Sequence, residues 1–287
     1  MNNITGKTKL TALLGSPVAH SISPLMHNEA FKLLDLDYVY LCFDVNESGL
    51  KKAVEGLRTI NIKGFNLTMP NKTAVVGLLD ALTPEAEMIG AVNTVLNLDG
   101  KLIGHNTDGY GYMESVKDAG FNIIGGSMAV LGAGGASSAI CVQAAKDGVK
   151  EIKIFSRKSA SFDAARLLCE KINKNTECNA SVFDINDKKL LEETIYSSDL
   201  LVNTSPVGMA PKINESLIKD YDILRPDLIV SDIIYNPKQT ELLKRASEQG
   251  CRTFNGAYML LYQGAKAFEI WTGEKMPVDE IKNKFFM

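Results

Sequence analysis

The sequence lacks any apolar run long enough to cross a membrane, and it has almost no excess of either charge. Nowhere do about 18 apolar residues follow one another, and the opening segment MNNITGKTKLTALLG holds too short an apolar run for a secretory leader. Lys and Arg number 31 and Asp and Glu 34, a net charge of −3. Such near-neutrality argues against nucleic acid or an anionic membrane as the main partner. We therefore expect a cytoplasmic protein that binds neither.

Cysteine is sparse and scattered. The chain has no CxxC pair and no Cys/His spacing typical of zinc sites. An odd, dispersed set also provides no disulfide framework. We therefore expect reduced thiols and no metal. The five cysteines are Cys42, Cys141, Cys169, Cys178 and Cys251.

What the sequence does contain is short apolar runs that alternate with amphipathic segments. Its 287 residues suggest about two domains at roughly 150 residues each, and the alternation predicts an α/β fold. In the first part we expect Ser23 to cap a helix that has Pro24 at its first position, and Thr83 to begin another helix. The remaining early elements are strands at 11–15, 39–45 and 62–68 and a helix at 48–58.

Residues 92–105 carry the clearest hairpin signal in the chain. VNTVLNL and KLIGH flank Asp99-Gly100, a pair that favours a two-residue type I′ turn. In that register Asn93 lies opposite Asn106. Asp108 follows the returning strand, so we expect it to lie near Asn93.

From about residue 127 a strand, a glycine turn and a helix begin a second α/β series. Its pattern predicts a Rossmann-type, doubly wound parallel sheet. Two helices near the C-terminus lack a strand of their own, so we expect them to return to the first domain. We predict one domain from residues 1–108 plus 250–287 and another from 109–249. The later strands are expected at 151–157, 181–185, 199–205 and 227–235, with helices near 160–172, 187–196 and 237–249.

The glycine turn is suited to a dinucleotide. Small residues between a strand and a helix let backbone N–H groups approach a pyrophosphate, where the helix dipole favours negative charge. The spacing is GxGGAS, with Ser137 in place of the third glycine. The alternative is a tight turn between strand and helix in which the glycines only avoid steric clashes and bind no ligand. The residues of the turn are Gly132, Ala133, Gly134, Gly135, Ala136 and Ser137.

The segment after the next strand indicates which dinucleotide binds. An acidic residue there would repel a 2′-phosphate, but the chain has Ser156-Arg157-Lys158-Ser159 and no acid until Asp163. Arginine can hold a phosphate through two hydrogen bonds. We therefore favour NADP, with NAD possible. A solvated pair of cations is the alternative.

Three polar groups of the first domain together suit a small polyhydroxylated acid. Ser21 and Ser23 lie at a helix N-terminus, where hydroxyls and free N–H groups can bind a carboxylate, although plain capping also explains one serine. FNLTMPNK brings Asn66, Thr68 and Lys72 to a strand end, and partial burial of a lysine there would suit it to proton transfer. Asn93 and Asp108 form the third group. The alternative role for this pair is to stabilise a turn, and the alternative for Lys72 is a solvated surface lysine.

These motifs also identify the chain with a family. GSPVAHSISPLMHN, NLTMPNK, GAVNT, GHNTDG, LGAGGAS, NTSPVGM and MLLYQGAKAFEIWTG occur in this order from about residue 12 to residue 280. Together they resemble the shikimate dehydrogenase family, including its quinate/shikimate branch. The resemblance implies reversible NAD(P)-dependent reduction of 3-dehydroshikimate to shikimate, in the pathway to aromatic amino acids. We expect a monomer or a homodimer.

The resemblance also implies roles for individual residues. Lys72 would be the proton donor and acceptor, paired with Asp108. The substrate would be held by Ser21, Ser23, Tyr40, Asn66, Thr68, Asn93 and Gln263. The glycine turn would hold the pyrophosphate and Arg157, with its neighbours, the adenosine end. Val207, Met209, Tyr235 and Gly256 would line the nicotinamide side.

Two departures from the family pattern bear on specificity. Biosynthetic members commonly carry an NRT-type segment where this chain has SRKS, which is closer to the quinate/shikimate branch but lacks that branch's acid near Ser159. The missing acid favours NADP. The second departure is Thr68. Its methyl group would crowd the extra ring hydroxyl of quinate, so we favour shikimate over quinate as the substrate.

Three alternatives stay open. They are a quinate/shikimate dehydrogenase that uses NAD or NADP, a methylene-tetrahydrofolate-type dehydrogenase, and a non-catalytic homologue that senses shikimate. Paired serines and NTDG are not explained by the second alternative. The presence of both Lys72 and Asp108 argues against the third.

Overall fold

The structure is a computed structural model that describes residues 4–287. By contacts the chain divides into two units. The first comprises the chain up to Gly111 together with Leu261–Met287, and the second is Tyr112–Leu260. Within the described range, no helix is long and apolar enough to cross a membrane.

The first unit is built on a mixed sheet of six strands in the order β2-β1-β3-β5-β6-β4. β5 runs antiparallel to β3 and β6, and the other pairs are parallel. The strands are β1 (Lys9–Gly15), β2 (Tyr38–Asp44), β3 (Gly64–Leu67), β4 (Ala81–Leu82), β5 (Thr94–Leu98) and β6 (Lys101–His105). The helices are α1 (Ser23–Leu33), α2 (Glu47–Thr59), α3 (Asn71–Ala74), α4 (Pro84–Ile89) and α11 (Val278–Phe285), with the start of α5 (Asp108–Asp118) and most of α10 (Ala257–Thr272).

Both faces of this sheet are covered by apolar side chains. Leu50 and Val54 of α2 pack with Leu14 and Phe65 of the strands in one buried cluster. Trp271 of α10 donates from Nε1 to the Val95 carbonyl at 3.0 Å. The indole lies so close to Gly64 that a Cβ there would approach Nε1 to 2.2 Å. The strand therefore needs glycine at that position.

The hairpin prediction is confirmed. Asp99 and Gly100 both have positive φ, 51° and 87°, as a type I′ turn requires. Thr94 pairs with His105 and Leu98 with Lys101. The turn chemistry therefore set the register of this pair of strands.

The prediction that Ser23 caps α1 is wrong. Ile22 is the N-cap residue and makes no side-chain capping bond, while Ser23 is the first helical residue. Ser21 Oγ accepts a hydrogen bond from the Ser23 N–H at 3.2 Å. The serine two residues upstream thus satisfies one of the free donors at this helix terminus.

The second unit is a fully parallel sheet of six strands in the order β12-β11-β10-β7-β8-β9. The predicted doubly wound sheet is confirmed, and its order reverses between β7 and β10, where such sheets bind ligands. The strands are β7 (Ser127–Leu131), β8 (Glu151–Ser156), β9 (Asn179–Asp184), β10 (Leu200–Asn203), β11 (Ile229–Asp232) and β12 (Arg252–Phe254). The helices within it are α6 (Gly135–Asp147), α7 (Ala160–Asn175), α8 (Lys188–Ser197) and α9 (Glu241–Glu248).

Candidate active site

A lysine–carboxylate pair lies at the centre of the polar cluster in the first unit. Lys72 is carried by α3, and Asp108 is the first residue of α5. Lys72 Nζ lies 2.5 Å from Asp108 Oδ2. The lysine side chain is 32% exposed and the aspartate side chain 11%. The ammonium is therefore reachable from solvent while the carboxylate that holds it is largely shielded.

The hairpin brings Asn93 to the other side of this carboxylate, as its register predicts. Asn93 Nδ2 donates to Asp108 Oδ1 at 2.8 Å and to Thr107 Oγ1 at 2.9 Å. Asn93 Oδ1 accepts from the Thr107 N–H at 2.8 Å. Each oxygen of Asp108 thus has its own donor, so the orientation of the carboxylate toward Lys72 is fixed.

The network continues through the centre of the sheet. Thr94 Oγ1 donates to Asn93 Oδ1 at 3.0 Å, and Asn66 Nδ2 donates to Thr94 Oγ1 at 2.9 Å. Tyr40 donates from its hydroxyl to Asn66 Oδ1 at 2.8 Å. Burial raises the pKa of Tyr40 well above its usual value, a rise opposed by a hydrogen bond with the Ser23 side chain. The tyrosine is therefore a permanent neutral donor.

The remaining predicted substrate residues lie beside this chain of hydrogen bonds. Gln263 of α10 places Oε1 3.4 Å from Asn93 Nδ2. Ser21 lies next to Ser23 and its side chain hydrogen-bonds Cys42. Thr68 follows β3, and its methyl group lies over Gly15, where a Cβ would come within 2.2 Å of Cγ2.

Residues that the sequence analysis did not select also belong to this cluster. Thr94 and Thr107 both hydrogen-bond to Asn93. Each is adjacent to a predicted site residue, in the motifs GAVNT and GHNTDG. His27 stacks on Tyr40, with ring centroids 4.5 Å apart and planes 8° from parallel. Neither ring nitrogen of His27 has a hydrogen-bond partner among the described residues. Burial lowers the pKa of His27 to about 3, so the ring is a neutral platform beneath the tyrosine.

The glycine turn of the second unit has the conformation that its sequence predicts. Gly132 has a φ of 109°, and a Cβ there would lie 2.8 Å from Thr204 Oγ1. Gly134 is exposed and precedes α6 as its N-cap residue. The first N–H groups of α6 have no partner within the helix. Ser137 is 1% exposed, so its side chain faces the interior and only its backbone belongs to the turn.

Ser156 is the last residue of β8, and Arg157, Lys158 and Ser159 follow the strand. The last three are exposed. Arg157 makes no ion pair with any acidic side chain of residues 4–287, whereas Lys158 Nζ lies 4.0 Å from Asp184 Oδ2. The arginine is therefore the freer cation of the pair. The hydroxyl of Ser159 donates to the Arg157 carbonyl at 3.2 Å.

The residues expected at the nicotinamide side follow three neighbouring strands. Val207 and Met209 come after β10, Tyr235 after β11 and Gly256 after β12. Met209 and Tyr235 are exposed, whereas a Cβ on Gly256 would lie 1.9 Å from the Ile233 carbonyl oxygen. That close approach admits only glycine.

The chain is similar to known proteins over almost its whole length. Residues 13–95 match the shikimate dehydrogenase substrate binding domain, and residues 256–284 match the shikimate 5′-dehydrogenase C-terminal domain. Shikimate dehydrogenase (NADP(+)) of Listeria monocytogenes is 54% identical over 99% of this chain and 97% of its own, and that of Streptococcus uberis is 46% identical over the same shares.

A solved structure has the same fold throughout. The crystal structure of shikimate 5-dehydrogenase from Listeria monocytogenes, in complex with shikimate and NAD, has a TM-score of 0.96 and 54% identity to this chain. The match covers 100% of this chain and 99% of that one. This chain belongs to the shikimate dehydrogenase family.

Proposed function

We propose that this chain catalyses the reversible NADP-dependent reduction of 3-dehydroshikimate to shikimate, a step toward the aromatic amino acids. The observation that carries the proposal is the Lys72–Asp108 pair, 2.5 Å apart, at the end of a buried network of neutral donors and acceptors. The curated relatives with 54% and 46% identity are shikimate dehydrogenases that use NADP. The cytoplasm as its compartment, and a monomer or homodimer as its assembly, stay predictions from the sequence.

Lys72 is the general acid and base in this proposal. In reduction its ammonium donates a proton to the carbonyl oxygen that becomes the hydroxyl, and in oxidation the neutral amine takes that proton back. Asp108 holds Nζ in place through the ion pair between them. Because one positioned proton donor suffices for hydride chemistry, the site needs no further acid.

The other polar residues bind and orient the substrate. Ser21 and Ser23 bind the carboxylate, as hydroxyls beside a helix N-terminus can. The ring hydroxyls are bound by Asn66, Thr68, Asn93 and Gln263, and Tyr40 orients Asn66 through its hydroxyl. Several of these side chains are already fixed by hydrogen bonds to one another, so little side-chain entropy is lost when the substrate binds.

The second unit fits NADP. The exposed turn before α6 offers backbone donors to a pyrophosphate, and Arg157 is a cation without an acidic partner among the described residues, which suits the 2′-phosphate. When bound, the nicotinamide supplies or accepts the hydride. Val207, Met209, Tyr235 and Gly256 line its side of the site. In functional terms, the first unit binds substrate, and the second unit, to which Gly256 belongs, binds dinucleotide.

Initial rates with shikimate and with quinate, each with NADP and with NAD, test the reaction. Fast turnover confined to shikimate and NADP is the expected result. Comparable quinate rates would show that Thr68 does not exclude the extra hydroxyl. The absence of turnover with every pair would contradict the proposal.

Lys72→Met tests the proton-transfer role. Methionine is an unbranched side chain one atom shorter than lysine and has no titratable proton, so kcat should fall by about 10²–10⁴-fold while the KM for shikimate changes little. The matched control is Lys63→Met, which replaces a lysine elsewhere in the same unit. A large rise in KM with unchanged kcat for Lys72→Met would remove Lys72 from this role.

A further inference from the structure

Asp232 is a buried carboxylate that is used by none of the steps above. It ends β11 and is 1% exposed. No Lys, Arg or His nitrogen of residues 4–287 lies within 4.0 Å of its oxygens. Its partners are all neutral: Asn203 Nδ2 donates to both oxygens at 3.1 Å, Thr240 Oγ1 to Oδ2 at 2.8 Å and the Ile234 N–H to Oδ1 at 3.0 Å. Burying a carboxylate without a cation is costly, so this arrangement calls for a reason.

The partners of Asp232 lead directly into the loop after β10. Asn203 is 3% exposed, and its Oδ1 accepts from the Ser205 N–H at 3.1 Å and from Ser205 Oγ at 2.7 Å. Its Nδ2 also donates to the Val207 carbonyl at 3.1 Å. The loop that carries Val207 and Met209 is therefore tied to Asp232 through one amide.

The same carboxylate also holds the loop after β11. Asp232 accepts a hydrogen bond from the N–H of Ile234, the residue immediately before Tyr235. Thr240, its third partner, caps α9 by accepting from the Leu243 N–H at 3.4 Å. Both ends of the segment between β11 and α9 are thus anchored at one point.

We propose that Asp232 is a positioning residue that, through Asn203, fixes the two loops that present Val207, Met209 and Tyr235 to the nicotinamide ring. The inference rests on the proposed function, which places the nicotinamide at these loops. A carboxylate suits this place because it only accepts hydrogen bonds, and four donor contacts converge on it. An amide would turn an N–H₂ group toward another donor.

The test is Asp232→Asn together with Asn203→Ala. Asp232→Asn places two amides face to face. Asn203→Ala removes the amide that joins Asp232 to the Val207 carbonyl. Val230→Ala is the matched control, because it removes buried apolar contact from the same strand and removes none of the hydrogen bonds of Asp232 or Asn203.

The readouts are the Kd of NADP by calorimetry, kcat and KM with shikimate, and the thermal midpoint of each variant. Asp232→Asn should raise the Kd of NADP about tenfold and lower kcat, with the KM for shikimate little changed, because misplaced loops weaken only the nicotinamide contacts. Asn203→Ala should reproduce both changes, because it removes the same link to the loop after β10. Val230→Ala should lower the thermal midpoint and leave the Kd unchanged.

A fall in thermal midpoint without a change in Kd or kcat for Asp232→Asn would show a purely structural residue and overturn the inference. An unchanged Kd of NADP for Asn203→Ala would overturn the positioning role of Asn203. If the native chain binds NADP but does not turn over shikimate, the proposed function fails, while the Kd comparison still decides this inference. If the native chain binds no NADP, both are overturned.

Discussion

Replacement of His27 by phenylalanine should make the first unit less sensitive to acid. The imidazole of His27 is fully buried, stacks on Tyr40 and lies 5.3 Å from Trp271 between ring centroids. Neither nitrogen has a hydrogen-bond partner among the described residues, so a proton on the ring would be buried without compensation. Phenylalanine keeps the aromatic stacking and cannot take up a proton.

The size of the effect follows from the depressed pKa. Burial lowers the pKa of His27 from 6.5 to about 3. Between these two pH values the unfolded chain therefore carries a proton on this ring and the folded chain does not. The stability associated with the neutral ring is present above pH 6.5 and is lost as the pH falls toward 3. At about 1.4 kcal/mol per pKa unit, the loss between pH 7 and pH 5 amounts to about 2 kcal/mol.

Urea unfolding followed by the fluorescence of the single tryptophan, Trp271, measures this loss. The free energy of unfolding should fall by about 2 kcal/mol more in the native chain than in His27→Phe between pH 7 and pH 5. Taking the difference between variants cancels the titration of all other groups. His20→Gln is the control, since His20 is exposed in the folded chain. Parallel pH dependence of the native chain and His27→Phe would refute the reasoning.

Two further predictions concern the second unit. Arg157→Ala should raise the KM for NADP by roughly 10- to 100-fold, because a charged hydrogen bond contributes about 1.5–3 kcal/mol. The KM for NAD, which lacks the 2′-phosphate, should stay unchanged. Equal changes in steady-state assays with both coenzymes would contradict this role. Gly256→Ala should destabilise the chain by about 1–3 kcal/mol, since its Cβ would lie 1.9 Å from the Ile233 carbonyl oxygen. Gly56→Ala, where a Cβ meets nothing within 4 Å, is the control in thermal unfolding, and equal effects would contradict the prediction.

The elements that sequence reasoning located well are those defined by local signals. The Asp99-Gly100 turn determined the register of β5 and β6, and that register placed Asn93 against Asp108. Strand, glycine turn and helix likewise follow from neighbouring residues in the second unit. The local sequence was sufficient in both places because the interacting residues lie within about 20 positions of one another in the chain.

The elements that were missed depend on the rest of the fold. The strand β4 has only Ala81–Leu82 and exists because it pairs with β6. The turn of helix that carries Lys72 has only Asn71–Ala74, too short for a periodic signal. Ser23 has the residue type of an N-cap, but Ser21 makes the bond, so residue type alone did not distinguish them.

Long-range side-chain contacts were the least accessible to prediction. Asn203 and Asp232 stand 29 residues apart and meet because their strands are neighbours in register. Nothing in either segment marks the aspartate as buried. His27 is similar, since its place beneath Tyr40 depends on how α1 packs on the sheet.

The two buried carboxylates at strand or helix ends differ in function because their partners differ. Asp108 faces a lysine that is one-third exposed, so its charge is matched, and in the proposed function this lysine exchanges a proton with the bound substrate. Asp232 faces only neutral donors, and burial raises its pKa to about 6. Its hydrogen bonds lead to backbone groups of two loops rather than to a reacting atom. A matched charge therefore indicates chemistry in the first unit, and an unmatched one indicates positioning in the second.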